Sequence, residues 1–82
     1  MEVELNLDRH CIETAAKKKY ERLVQELLKI EENEKREKEL EFLLDFLKNA
    51  NFSGLRKLGF DGSRKMRVRV NKRDGEFVVE EI

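Results

Sequence analysis

Residues 64–82 read RKMRVRVNKRDGEFVVEEI. Met66, Val68 and Val70 alternate with Arg67, Arg69 and Asn71. That period of two puts apolar side chains on one strand face and polar ones on the other. Asp74-Gly75 then breaks the pattern, a strong hairpin signal because a tight two-residue turn needs positive φ at both positions. Phe77 and Val79 resume the apolar face on the return. The pattern predicts a β-hairpin over 65–73 and 76–82. A two-residue loop pairs Val70 with Val79 and Arg69 with Glu80. A four-residue loop pairs Val70 with Phe77 and Arg67 with Glu80. Both keep the apolar sides together, so both registers are open.

A hairpin alone is marginal in water, so a third strand is expected. The N-terminus supplies one: Val3, Leu5 and Leu7 alternate with Glu2, Glu4 and Asn6, a strand over 2–7. Laid beside the first hairpin strand, Glu2 and Glu4 would face Arg67 and Arg69. Asp8 follows as an N-cap for a helix over 9–32, in which Ile12, Ala16, Tyr20, Leu23, Leu27 and Ile30 draw one apolar stripe. Val24 and Leu28 widen it. A second helix over 34–49 carries Leu40, Leu43, Leu44 and Leu47 on one side. Phe42 and Phe46 fall roughly 120–150° away at 100° per residue. Phe52, Leu55 and Leu58, spaced by three, predict a helical turn over 52–58, with Gly59 ending it in the left-handed region.

Between the helices, residues 31–39 read EENEKREKE, with no apolar side chain and no glycine or proline. The chain either turns near Asn33 into a helical hairpin or runs as one rod of about 60 Å. A monomer this small leaves both stripes of a rod uncovered, so the hairpin is preferred. The expected fold is α+β, in the order β-α-α-β-β: one domain over 1–82, with a helical hairpin packed on a small three-stranded, mainly antiparallel sheet.

Composition narrows the function classes. The chain has 82 residues, 18 of them basic and 18 acidic, with no proline, one histidine and one cysteine. A lone Cys11 beside a lone His10 forms neither an internal disulfide nor a four-ligand zinc site. Dense Lys, Glu and Arg with a single glutamine is the usage of ion-pair-rich thermophile proteins, so a thermophilic source is expected. No apolar run reaches the ~18 residues that span a membrane. Residues 1–7 are too short and acidic for a signal peptide, which makes the cytoplasm the expected location. The glycines match no phosphate-binding or dinucleotide fingerprint. No catalytic residue, metal ligand or cofactor is expected, and no constellation determines a function.

Two readings remain. Charge is segregated: from Arg56 to Arg73 there are eight cations against one acid, Asp61, a net +7. A basic ribbon of Arg64, Lys65, Arg67, Arg69, Lys72 and Arg73 could follow an RNA or DNA backbone through counterion release. The competing reading is an ion-paired sheet face neutralised by Glu2, Glu4, Glu76 and Glu80. The two-faced second helix suggests instead a non-enzymatic protein-interaction module, homodimeric, with Phe42 and Phe46 capping the interface. Cys11 is expected to be a small packing residue.

Overall fold

The structure, a computed structural model, describes residues 1–29 and 34–82. Its elements are β1 (Glu2–Asn6), α1 (Ile12–Lys29), α2 (Glu34–Asn49), α3 (Phe52–Lys57), β2 (Arg67–Arg73) and β3 (Glu76–Glu81). The three strands form an antiparallel sheet in the order β1-β2-β3. This is the expected α+β arrangement, with the 52–58 turn realised as a third helix. Among the described residues no helix is long and apolar enough to cross a membrane.

The tight hairpin register is the one adopted: Val70 pairs with Val79, Arg69 with Glu80, Lys72 with Phe77 and Arg73 with Glu76. Asp74 and Gly75 sit at φ 51° and 80°, the two left-handed positions of a type I′ turn. β1 lies on the other side of β2, with Val3 opposite Val70, Glu4 opposite Arg69 and Leu5 opposite Val68. Val3, Leu5, Val68 and Val70 are at most 2% exposed. The opposite sheet face is open, and its rows are acidic on β1, basic on β2 and acidic on β3.

α1 and α2 double back on each other. Arg36 Nη1 lies 3.3 Å from Glu26 Oε2 across the two helices, and the longest dimension of the molecule is 39 Å, too short for a rod of about 60 Å. The expected turn near Asn33 falls in 30–33, outside the described residues. Leu43 and Phe46 are fully buried. Phe46 meets Phe52 and Phe77 edge to face, each at 5.2 Å between ring centroids.

α1 begins later than the sequence suggests. Asp8 is not its cap. The chain first makes a tight turn in which His10 N donates to Leu7 O at 2.7 Å, with Asp8 and Arg9 at φ 43° and 65°. Cys11 O accepts the first helical bond, from Ala15 N at 3.0 Å, and Ile12 N donates to Phe60 O at 3.1 Å. A carbonyl far along the chain therefore satisfies an N–H that a local side chain was expected to cap. α3 follows the local rules. Asn51 Oδ1 accepts from Gly54 N at 3.0 Å, and Gly59 ends the helix at φ 108°.

Gly62 holds the segment from Phe60 onward against the Leu7–His10 turn. A Cβ there would lie 2.8 Å from His10 C and 2.9 Å from Cys11 N, at φ +86°. Gly75, at φ +80°, has nothing within 4 Å of such a Cβ. Gly75→Ala should therefore carry only the dihedral penalty, about 1 kcal/mol. Gly62→Ala adds a backbone collision and should cost roughly 2–3 kcal/mol. Denaturant unfolding of both variants tests this: equal losses would show that the close approach carries no energy.

Candidate functional site

The basic segment is the first candidate, and its cations are met from three directions. From β1, Glu4 Oε2 accepts from Arg67 Nη2 at 3.2 Å, and Glu2 pairs with Arg69. From β3, Glu80 lies 4.0 Å from Arg73. Glu81 is gripped by both guanidinium nitrogens of Arg64, Nη1 donating to Oε2 at 2.9 Å, the two-pronged geometry that favours arginine. From outside the sheet, Asp45 of α2 accepts from Lys72 at 2.8 Å. Asp8 lies 3.9 Å from Lys65, and Glu13 of α1 3.6 Å from Arg56. All six candidate nucleic-acid residues thus sit beside a carboxylate. Among the described residues, Lys57 is the one cation of the 56–73 segment without an ion pair. Exposed pairs are individually weak, yet a phosphate entering this face would have to displace carboxylates along the whole strand.

Glu2, Glu4 and Glu80 were visible in the sequence as neutralising partners, because alternation places them on the open face. Glu76 makes no ion pair among the described residues. Asp45, Glu13, Asp8 and Glu81 were not visible. Asp45 and Glu13 arrive from helices whose packing no local pattern fixes. Lys72 lies on the apolar side of the sheet, opposite Phe77, with Nζ 5.1 Å from the centre of that ring. Its ammonium ends between an aromatic face and Asp45, a site that favours a cation.

The expected interface pair is placed differently. Phe46 is inside the chain, and Phe42 is half-buried with its ring 5.7 Å from Phe77. The second apolar side of α2 is met by β3 and α3, so these rings serve the chain's own core. The neighbours His10 and Cys11 find separate partners. Cys11 Sγ lies 3.2 Å from Thr14 Oγ1, and His10 Nε2 lies 3.0 Å from Lys18 Nζ. Hydrogen bonding from Thr14 holds the thiol below its ordinary value. Cys11 is half-buried. Among the described residues no group of three or more His, Cys, Asp or Glu could hold a metal ion.

One concavity, of about 530 Å³, lies between α1 and α2, with Glu26 and Glu39 in the same wall as Lys19 and Arg22; two others border the remaining elements. One, of about 580 Å³, lies between α3 and the hairpin tip, lined by Ala50, Leu55, Leu58 and Phe77 among others. The second, of about 420 Å³, lies between α1 and the edge of β1. No sequence motif marks either one.

A protein-family model matches residues 1–80, and the chain belongs to that family. An uncharacterized protein of Archaeoglobus fulgidus, a thermophilic archaeon, is 70% identical over 86 residues, with the whole of both chains covered. No solved structure matches.

The surface carboxylates give the fold an acid dependence. Hydrogen bonds from Lys72 and then Asn49 hold Asp45 below its ordinary value, and the Arg64 bond does the same for Glu81. A carboxyl depressed in the folded state contributes stability above its unfolded value and loses it as pH falls through the folded value. The thermal midpoint should therefore hold from pH 7 to about 5 and fall below about pH 4. Lys72→Met should make that acid loss smaller. A wild-type midpoint that rises on acidification would contradict this assignment.

Proposed function

We propose that the chain is a non-enzymatic, cytoplasmic interaction module that associates with a second copy of itself through the outer face of the helical hairpin. The observation that supports this is the exposure of two helix leucines, Leu28 and Leu44. Leu43 and Phe46 of α2 turn inward, whereas Leu44 is 37% exposed and Leu28 of α1 is 79% exposed. Leu40 and Leu47, half-buried where they pack against the core, flank Leu44 within about 60° on the helical wheel. The interface of this reading is therefore the leucine stripe, in place of Phe42 and Phe46.

The charges beside the stripe suit a second copy. Glu41, midway along α2, and Lys48, near its C-terminal end, lie on the same flank, and neither has an ion pair among the described residues. Antiparallel helices bring like flanks together. A two-fold contact centred on Leu44 would set Leu44 against its own copy and Glu41 of each chain beside Lys48 of the other. The same patch meets itself, as a two-fold interface requires.

Sedimentation equilibrium tests the reading. The expected mass is twice 9.8 kDa. Leu44→Asp should give a monomer with an unchanged circular-dichroism spectrum. Glu41→Lys should weaken the dimer, and adding Lys48→Glu should restore it. A wild-type monomer at about 100 μM, well above the μM range of ordinary complexes, would overturn the proposal.

A further inference from the structure

We infer that the cavity between α1 and the free edge of β1 is a binding site for a small phosphate-bearing anion. Its walls bring together Lys18, Lys19 and Arg22 from one side of α1, His10 from the preceding turn, and Glu4 and Asn6 from β1. The cavity measures about 420 Å³, enough for one or two phosphoryl groups but not for a length of nucleic-acid backbone.

Charge accounting carries the argument. The two acids in the wall are already paired: Glu4 with Arg67, which lines the cavity too, at 3.2 Å, and Asp8 with Lys65 at 3.9 Å. Among the described residues, none of Lys18, Lys19 and Arg22 has a carboxylate within ion-pair distance. Every β2 cation, by contrast, has one. Three cations without an ion pair therefore share one concavity on α1, together with Arg67 of the ribbon that the sequence singles out.

The contacts within the cluster are to uncharged or aromatic nitrogen and oxygen atoms, with no carboxylate among them. Lys18 Nζ lies 3.0 Å from His10 Nε2, within hydrogen-bond distance of the ring. Lys19 Nζ turns to a neutral acceptor, Glu4 O, at 2.7 Å. Burial disfavours its charge more than Glu39, Glu4 and Glu26 favour it, and the nearby Arg22 adds to the burial effect. An anion between these groups would accept from both Lys18 and His10, and would offset the repulsion between Lys19 and Arg22. The strand edge adds donors. Leu7 N donates to Met66 O, so the odd-numbered residues of β1 bond β2 and the N–H groups of Glu4 and Asn6 lie on the free edge. Edge N–H groups beside convergent cations are what phosphate recognition uses.

The site lies on the side of α1 facing the sheet edge, whereas the leucine stripe lies on the outer face, so this inference stands or falls apart from the dimer. Isothermal titration with inorganic phosphate and with pyrophosphate, at fixed ionic strength, provides the test, with amide shifts followed by NMR. Saturable binding should appear by roughly 10 mM ligand, with shifts centred on Asn6, His10, Lys18 and Arg22. Arg22→Gln and Lys18→Gln should each weaken pyrophosphate at least tenfold, about 1.4 kcal/mol. Lys57→Gln, which removes a cation outside the cavity, should leave it unchanged. Equal losses in all three variants would reduce the effect to net charge and overturn the site. So would the absence of shifts at these residues. Tighter binding of duplex DNA or RNA through the same residues would also overturn it, in favour of a nucleic-acid surface.

Discussion

The structure depends on β2 being packed on one face, charge-matched on the other and hydrogen-bonded along both edges at once, with the buried Asn71 Oδ1 the polar side-chain atom left without a partner among the described residues. Val68 and Val70 are fully buried beneath the helices, while Arg67, Arg69 and Arg73 stand on the open face between acidic rows on β1 and β3. These two requirements share one register. A slip of one residue would turn the arginines into the core and the valines to solvent. It would also break the alignment with Glu2, Glu4 and Glu80. The alternation of β2 thus fixes where both neighbours lie, and with them the apolar floor on which α1 and α2 pack.

Much of this was legible in the residues because it is local. The Asp74-Gly75 turn, the apolar alternation of three strands, the span of α2 and the Gly59 stop each follow from the chemistry of a few adjacent residues. What was not legible depends on contacts distant in sequence. Asp8 looks like a helix cap, but it and Arg9 take left-handed conformations so that the chain can turn at Leu7–His10, and Phe60 supplies the partner for Ile12. Phe42 and Phe46 look surplus until α3 and β3 close over them. The partners of Lys72 and Arg56 come from helices, and the gathering of Lys18, Lys19 and Arg22 beside β1 depends on how α1 lies against the sheet edge.

The functional consequence is a reversal of emphasis. The conspicuous basic stretch is the one most fully matched by carboxylates within the chain. The 70% identical relative comes from a thermophilic archaeon, and ion pairs gain value at high temperature because the cost of desolvating charge falls. Two other features lie outside those pairs: exposed leucines on the helical hairpin, and three cations of α1 that share a concavity without an ion pair. These are the surfaces on which the proposed activities rest.

The central claim is that the β2 cations serve the fold. The most direct test is fluorescence anisotropy of mixed RNA and DNA probes with the wild type and with Arg67→Gln/Arg69→Gln, at about 50 and 200 mM salt, where phosphate contacts weaken strongly. The account predicts that the double variant unfolds at a lower temperature and binds the probes no differently from the wild type. Wild-type binding that falls steeply with salt and disappears in a still-folded double variant would contradict it, and would make the strand a nucleic-acid surface.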